Sequence, residues 1–369
     1  MRTRAAVLFE QPGEWRVVDV DLDAPGHGEV LVEMVAAGLC HSDDHFAKGD
    51  ASFAALPLCG GHEGAGVVRE LGPGVTELAV GDHVVTSFIP ACGRCRPCAE
   101  GHQELCDNGR ILGSGMQLDG TARMHVDGAD VATGASLGTF SEWQVLDQLS
   151  CVRIDEDIPL TTAVVVSCGV PTGWGSATRA AGLGPGSVAV VMGCGGIGMN
   201  AVQGARYMGA GRIVAVDPQP FKRDTALKLG ATDAFEDMAT ATEFVRSVTN
   251  GQGADAAIIT VGVITGGHIA EGFGAIRKKG TVVVTAVGNY TEATIPVNLT
   301  ELSMFEKRIQ GVVYGNVSPR VVIPELLGLY RTGALDLDQL ITRTYTLDDI
   351  NQGYADLHAG LNIRGVIAF

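Results

Sequence analysis

Long apolar runs, an excess of basic residues and abundant aromatic residues are all missing from this sequence. No apolar run reaches the roughly 20 residues that a membrane-spanning helix needs, and the N-terminal residues lack the apolar core of a secretory signal peptide. Lys and Arg total 26 against 42 Asp and Glu, which gives a formal net charge of -16. Because an acidic surface repels nucleic acid and anionic lipid, we expect a cytoplasmic protein with no nucleic-acid and no membrane partner.

What is present is typical of a globular enzyme. The 369 residues are 46% hydrophobic and 18% charged, and they include 51 glycines. A chain of this length is expected to form two domains. The 9 cysteines are odd in number and clustered in the sequence, which favours metal binding over disulfides in a cytosolic chain.

The densest polar chemistry lies in residues 38–45, directly after an alternating segment that predicts a β-strand. Cys40 supplies a thiol, and a thiolate with an imidazole from elsewhere and one open position forms a catalytic zinc site. Ser42 and His45 follow closely and could carry a proton away from whatever the metal activates. Two later residues complete a Cys₂His set: His62, in a glycine-flanked His-Glu pair, and Cys168, at the edge of a predicted Pro/Gly turn.

Four further cysteines follow the pattern C-x2-C-x2-C-x7-C, and they are Cys92, Cys95, Cys98 and Cys106. Four thiolates at this spacing can enclose one tetrahedral zinc and leave no open position. An iron–sulfur cluster is the alternative, but the Cys-Pro ending of the bacterial cluster sequence is absent. The pattern therefore favours a structural zinc.

After residue 170 the pattern changes to alternating strands and helices, which predicts a doubly wound α/β domain. A buried strand runs into a G-x-G-x-x-G fingerprint of the dinucleotide-binding type, whose glycines are Gly193, Gly195, Gly196 and Gly198. These glycines permit a tight turn and a close approach of pyrophosphate to a helix N-terminus.

A second predicted strand ends at Asp217, a position at which a carboxylate accepts hydrogen bonds from the adenosine ribose hydroxyls of a bound dinucleotide. That carboxylate would repel a 2′-phosphate, which favours NAD over NADP. Lys222 could reduce this preference for NAD, whereas Arg223 is expected to lie in the first turn of an exposed helix.

These patterns predict a β-rich catalytic domain formed by residues 1–169 and 314–369, and a nucleotide-binding domain formed by 170–313. The C-terminal strand is expected to rejoin the first domain. The Gly-rich segment 109–140 is predicted to be a long loop, either a lid or an assembly element. A strand over 281–287 is expected to end where an open sheet binds ligand.

Together these motifs resemble the zinc-dependent medium-chain alcohol dehydrogenases over essentially the whole chain. Residues 119–123 are similar to the liver-type and glutathione-dependent formaldehyde dehydrogenase branches. In detail the chain is most similar to the nicotinoprotein alcohol dehydrogenases, which keep NAD bound and reduce an artificial nitrosoaniline acceptor. The resemblance implies an α/β fold with a GroES-like catalytic domain and a Rossmann coenzyme domain.

The resemblance also implies two zinc ions per chain, NAD(H), and a small alcohol or aldehyde substrate. It implies a homo-oligomer of two, three or four subunits and leaves open an external redox partner. NAD that exchanges in each cycle and NAD that stays bound are both compatible with these residues.

Roles follow from the resemblance residue by residue. Catalytic zinc would be bound by Cys40, His62 and Cys168. A proton relay would use Ser42 and His45. The remaining catalytic positions are Asp43, which would hold the zinc-bound histidine, and Glu63, an acid near the zinc that would pair with Arg364. The cofactor contacts would be His41, Thr172, Gly193, Gly195, Gly196, Gly198, Asp217, Lys222, Val287 and Arg364.

Other functions compete with this interpretation. In the glutathione-dependent formaldehyde dehydrogenases an acid after the Cys40 motif is paired with a basic residue after the fourth structural cysteine. Arg110 fits the basic position, but the acidic position is Ala51, with Asp50 beside it. A zinc-free, quinone-reductase-like relative or a vestigial nucleotide-binding structural protein would be expected to lack the complete Cys₂His set.

Overall fold

A computed structural model of the chain describes residues 1–49, 55–289, 291 and 293–369. Asp50 and Ala51, the positions considered for glutathione recognition, lie outside the described residues. In the part of the chain that is described, no helix is both long enough and apolar enough to cross a membrane.

The strands, in chain order, are β1 (Arg2–Leu8), β2 (Arg16–Leu22), β3 (Glu29–Leu39), β4 (Leu58–Cys59), β5 (Glu63–Leu71), β6 (His83–Thr86), β7 (Met124–Val126), β8 (Ala129–Thr133), β9 (Trp143–Asp147), β10 (Cys151–Ile154), β11 (Val188–Met192), β12 (Arg212–Val216), β13 (Asp233–Phe235), β14 (Ala254–Ile259), β15 (Ile276–Val284), β16 (Arg308–Gly311), β17 (Ile341–Tyr345) and β18 (Arg364–Ala368). The α-helices are α1 (His41–Lys48), α2 (Arg96–Ala99), α3 (Leu160–Ala163), α4 (Gly169–Gly175), α5 (Gly196–Tyr207), α6 (Pro220–Leu229), α7 (Met238–Val248), α8 (Gly266–Ala275), α9 (Leu299–Met304), α10 (Pro319–Arg331) and α11 (Ile350–His358).

The described residues form two compact units. Unit 1 comprises Met1–Cys168, Ser318–Gly333 and Leu337–Phe369, and unit 2 comprises Gly169–Val317 and Ala334–Asp336. Unit 2 thus runs four residues past the limit of 313 expected from the sequence. The reason is that Gly315 packs on α4, where a Cβ on this glycine would lie 2.1 Å from a carbonyl oxygen of that helix.

Unit 1 contains a closed barrel, in the order β1-β2-β7-β8-β4, and a second sheet in the order β10-β6-β5-β3-β18-β17, with β9 also paired to β3. Strand β3 is the longest element of this sheet and is largely buried, as expected for a strand paired with several neighbours. Strand β18 pairs antiparallel with β3. The prediction that the C-terminal strand rejoins the first domain is therefore confirmed.

The pairing register of β3 sets the position of the candidate metal ligands. Gly38 lies opposite Glu63 of β5, and Leu39 lies opposite the second residue of β18. Strand β3 ends at Leu39, so Cys40 emerges beside the start of β5 and the start of β18. Three distant segments of the sequence are brought together by backbone pairing alone.

Unit 2 contains a parallel six-stranded sheet in the order β13-β12-β11-β14-β15-β16. With β11 counted as the first strand, this order is 3-2-1-4-5-6, the order of the doubly wound dinucleotide-binding fold. Val190 and Val191 of β11 have no exposed surface, which is typical of a parallel strand covered on both faces. The predicted Rossmann domain is confirmed.

Three local predictions were wrong. The segment 109–140 is not a loop throughout, because β7 and β8 lie within it and help to close the barrel. The predicted Pro/Gly turn after Cys168 is the helix α4, in which Gly173 allows close packing on α5: a Cβ there would lie 2.0 Å from the carbonyl oxygen of Ile197. The strand predicted over 281–287 is β15, which ends at Val284.

Candidate functional site

A buried group of four donor side chains lies at the end of β3. One ligand atom from each of Cys40, His62, Glu63 and Cys168 falls within 4.8 Å of the others, and all four residues are buried. Cys40 directly follows β3, while the His-Glu pair directly precedes and begins β5. A 3₁₀ turn over Val164–Ser167 carries Cys168 to the group, and the Ser167 hydroxyl is 3.3 Å from the Gly64 carbonyl oxygen of β5.

The electrostatics of this group favour a Cys40 thiolate, and a metal that binds here would displace a proton from His62. The Cys168 thiol, as a hydrogen-bond donor, is the main cause that lowers the pKa of Cys40 well below its ordinary value. Burial opposes charge on His62, but Asp43 and Cys40 outweigh it and raise the pKa of His62 to about 10. A thiolate is the form of cysteine that binds metal, and two thiolates with one imidazole are a donor set that zinc prefers.

Asp43 lies behind the histidine rather than among the donors. Its Oδ2 is 2.9 Å from His62 Nδ1, and its Oδ1 accepts a hydrogen bond from the Gly61 amide at 3.0 Å. This arrangement fixes the imidazole and leaves Nε2 for a metal. Burial raises the pKa of Asp43 above its ordinary value, which is the cost of placing a carboxyl at this position.

Glu63 is the fourth member of the group and contacts Arg364 through Oε2 and Nη2. Its other oxygen, Oε1, is buried and has no hydrogen-bond partner among the described residues. A Cβ on Gly38 would lie 2.1 Å from Glu63 Oε2, so only glycine fits opposite this carboxylate. The predicted contact of Arg364 with Glu63 is present, and the unpaired oxygen would suit a nearby cation.

Helix α1 carries the predicted relay residues. Ser42 and His45 are three positions apart, so they share a face of this helix. Ser42 Oγ is 3.6 Å from Cys40 Sγ, while His45 is 5% exposed and so nearly closed to solvent. His41 is half-buried at the first position of the helix.

Two residues that the sequence reasoning missed hold α1 in place. The buried carboxylate of Asp44 accepts from Lys48 Nζ at 2.8 Å and lies 2.7 Å from His358 Nε2 at the end of α11. The i, i+4 spacing of Asp44 and Lys48 was a visible signal. His358 is 314 residues away from Asp44 along the chain, so no local sequence pattern could indicate this contact.

The four clustered cysteines form the second candidate metal group. Their sulfur atoms lie within 4.8 Å of one another, and backbone amides point at the sulfurs, including Cys92 N to Cys106 Sγ at 3.3 Å and Cys95 N to Cys92 Sγ at 3.4 Å. Burial opposes ionisation of Cys92, but the backbone amides of Arg94 and Cys95 outweigh it and lower the pKa of that thiol to about 6. None of the 9 cysteines of the chain forms a disulfide, so all four sulfurs of this set can serve as metal ligands.

The glycine fingerprint of unit 2 has the geometry of a phosphate-binding loop. Gly193 has φ +92 and directly follows β11, while a Cβ on Gly198 would lie 1.8 Å from the Gly193 carbonyl oxygen. Around Gly195, which caps α5, a Cβ would meet nothing within 4 Å. The loop therefore leaves open space directly in front of a helix N-terminus, which suits a pyrophosphate.

Thr260, at the end of β14, also holds this loop. Its hydroxyl lies 2.5 Å from the carbonyl oxygen of Gly193 and 3.0 Å from that of Met192. No sequence pattern indicated Thr260, because the neighbouring parallel strand brings it to the loop.

Asp217 follows β12 at the same end of the sheet and is 5% exposed. Its Oδ2 accepts from the Cys194 amide of the fingerprint loop at 2.8 Å. Thr172 is buried in α4, while Val287 is 45% exposed beyond the end of β15. The predicted cofactor residues are thus divided: His41 and Arg364 belong to unit 1, and the others belong to unit 2.

Both units match known families. Residues 26–156 match the alcohol dehydrogenase GroES-like domain, and residues 196–331 match the zinc-binding dehydrogenase family. The chain therefore belongs to the zinc-binding alcohol dehydrogenases, with a GroES-like first domain and a Rossmann second domain, and it is an oxidoreductase of that family.

Individual relatives show which members of this family the chain is similar to. The chain is 50% identical to "Putative alcohol dehydrogenase D" of Mycobacterium tuberculosis, with 100% of both chains covered. It is 47% identical to the NDMA-dependent alcohol dehydrogenase of Amycolatopsis methanolica, covering 100% of this chain and 99% of that one. Identity is 34%, with full coverage of both, to the S-(hydroxymethyl)glutathione dehydrogenase of Paracoccus denitrificans. A solved zinc-binding alcohol dehydrogenase protein from Burkholderia ambifaria matches with TM-score 0.93 at 31% identity, covering 100% of this chain and 99% of that one.

Proposed function

We propose that this protein oxidises an alcohol to an aldehyde or ketone, and performs the reverse reaction, with NAD as hydride acceptor and one catalytic and one structural zinc per chain. The observation that carries the proposal is the buried convergence of Cys40, His62 and Cys168 beside the unpaired Glu63 oxygen. Two sulfurs and one imidazole leave a tetrahedral zinc one open position for substrate. The four-cysteine group would close its zinc completely.

Zinc and NAD would supply the Lewis acidity that makes an alcohol hydroxyl acidic and the acceptor for its hydride. The chain's own part is to orient ligands and move a proton. Asp43 keeps the His62 imidazole in one orientation through the 2.9 Å contact with Nδ1. Ser42 is the first acceptor for the hydroxyl proton, and His45, on the same helical face, receives it next.

Helix α1 ties this proton route to the metal ligands. It begins one residue after Cys40, so the backbone that carries Ser42 and His45 continues directly from a metal ligand. The contact of Asp44 with His358 anchors the same helix to α11. Anchoring of this helix limits the movement of the groups that would carry the proton.

In unit 2 the proposed nucleotide site comprises the fingerprint glycines and Asp217. Open space at Gly195 would accept the pyrophosphate, and the carboxylate of Asp217 would accept from the ribose hydroxyls. NAD is favoured over NADP because that carboxylate repels a 2′-phosphate. Lys222, Thr172, Val287, His41 and Arg364 stay predictions as cofactor contacts.

We further infer that NAD stays bound between turnovers and that an external acceptor reoxidises it. The support is the 47% identity to a relative whose name states dependence on NDMA. A glutathione-linked formaldehyde dehydrogenase is the second candidate, supported by 34% identity and by the exposed Arg110. Activity on S-hydroxymethylglutathione, measured beside simple alcohols, distinguishes the two. Cytoplasmic location and the size of the homo-oligomer stay predictions.

Replacing one cysteine of the proposed catalytic site tests the proposal against a matched control. Cys40→Ser should lose one zinc per chain together with alcohol oxidation while the fold is retained. Cys151→Ser changes an equally buried thiol that belongs to neither metal group, and it should keep both zinc and activity. Full activity in Cys40→Ser would refute the assignment.

A further inference from the structure

The turn that follows β12 is closed by an arginine side chain. Arg223, in the first turns of α6, donates from Nη1 to the carbonyl oxygen of Asp217 at 2.7 Å and to that of Pro218 at 2.9 Å. The Nη1 nitrogen carries two N–H groups, so both bonds can form at once. Arg223 lies in the first turn of this helix as expected, but its side chain is half-buried rather than exposed.

The same turn is held at two further points by the Asp217 side chain. Its Oδ1 accepts from the Gln219 amide at 2.9 Å, and its Oδ2 accepts from the Cys194 amide at 2.8 Å. The carboxylate therefore joins the start of α6 to the fingerprint loop. Arg223 holds the backbone of the very residue that makes this connection.

We propose that Arg223 is a positioning residue that sets how firmly the adenosine half of the dinucleotide is held. The inference rests on the proposed function, in which the fingerprint loop and Asp217 bind NAD. Two charge-assisted bonds to consecutive carbonyls fix the turn before ligand arrives, so little ordering remains to be done on binding. Without them, Asp217 keeps its carboxylate but loses its fixed backbone.

A direct contact of Arg223 with a 2′-phosphate is the competing role. The geometry disfavours it, because Nη1 is engaged by two carbonyl oxygens and the adjacent carboxylate repels a phosphate. The two roles predict different ligand dependence. A positioning residue affects ligands with and without the 2′-phosphate, whereas a phosphate contact affects only those that carry it.

The test measures release of NADH from the full-length protein. The protein is loaded with NADH, separated from free nucleotide, and mixed with excess ADP-ribose while NADH fluorescence is followed. Arg223→Met keeps the aliphatic length and removes the donors, and Arg223→Lys keeps a cationic donor. Lys228→Met removes an exposed charge near the end of the same helix and serves as the control.

We expect Arg223→Met to release NADH about tenfold faster, the effect of losing roughly one net hydrogen bond. Arg223→Lys should restore most of the wild-type rate, and Lys228→Met should match wild type. The thermal unfolding midpoint of Arg223→Met, measured without nucleotide, should fall by no more than the loss of these two hydrogen bonds explains, so that faster release is not the result of general unfolding. The affinity of Arg223→Met for ADP-ribose should fall at least as much as its affinity for 2′-phospho-ADP-ribose.

Three results would overturn this. Wild-type release from Arg223→Met would remove the role of Arg223 and leave the nucleotide site intact. Weaker binding of 2′-phospho-ADP-ribose alone would make Arg223 a phosphate contact instead. A wild-type protein that carries no NAD(H) as purified and also takes up no NADH would overturn the proposed nucleotide site itself.

Discussion

Breaking the contact between Arg364 and Glu63 should destabilise unit 1 strongly. The two side chains are 6% and 0% exposed, so Arg364→Met would leave a carboxylate buried without its cation. Removing one partner of a buried ion pair typically costs about 3–5 kcal/mol. Here Arg364 Nε and Glu63 Oε1 have no hydrogen-bond partners among the described residues, so the pair is not bidentate and we expect about 3 kcal/mol, the lower end.

Urea unfolding with tryptophan fluorescence measures this effect. Trp15 and Trp143 lie in unit 1, and Trp174 lies in unit 2, so a Trp174→Phe background reports on unit 1. The double variant Glu63→Leu with Arg364→Met should recover most of the loss, because no buried charge is then left alone. A loss below about 1 kcal/mol in Arg364→Met, the size of one ordinary hydrogen bond, would refute the reasoning, as would additive losses in the double variant.

Three further variants test other parts of the structure. Cys106→Ser should lose one zinc per chain and lower thermal stability while the other zinc stays, and unchanged zinc content would contradict the structural site. His45→Gln should slow turnover modestly, most at low pH, because water can replace the imidazole; a fall in zinc content would show that the relay role is wrong. Burial opposes ionisation of Asp119, but hydrogen bonds from Thr121 and Arg123 outweigh it and lower its pKa from 3.8 to about 2. Because the folded pKa lies below the unfolded one, this carboxylate stabilises the fold above about pH 4, and the stabilisation is lost as the pH falls to about 2. Thermal unfolding of Asp119→Asn should therefore show a smaller loss of stability over that pH interval than the wild type shows.

The parts of the fold that could be predicted from sequence are those in which local pattern and tertiary structure agree. The β11–α5–β12 unit is an example, because a buried strand, a glycine turn, a helix and a terminal acid succeed one another without long-range information. The metal donors were recognisable because residue type and spacing carry the chemistry. Their meeting, however, depends on the register of β3 with β5 and β18.

The parts that could not be predicted depend on distant partners. Strand β7 has 3 residues, too few to show a period, and it is stabilised by pairing with β2 and β8. In the sequence, the glycines of α4 suggest a turn. In the structure they are part of a helix, and close packing leaves no space for a side chain at Gly173 or Gly175. The role of Arg223 depends on where its side chain points, which charge and helical position do not specify.

Zinc and nucleotide analysis of the protein as purified, with no cofactor added, tests the proposed metal sites and the proposed bound NAD in one experiment. After denaturation, metal and NAD(H) are quantified on the same sample, together with Cys40→Ser. We expect about two zinc ions per chain, one for each group of donors, together with near-stoichiometric NAD(H). Cys40→Ser should lose one of the two zinc ions. Absence of zinc, or full zinc content in Cys40→Ser, would contradict the proposed catalytic metal site, and two zincs without nucleotide would contradict the inference that NAD stays bound.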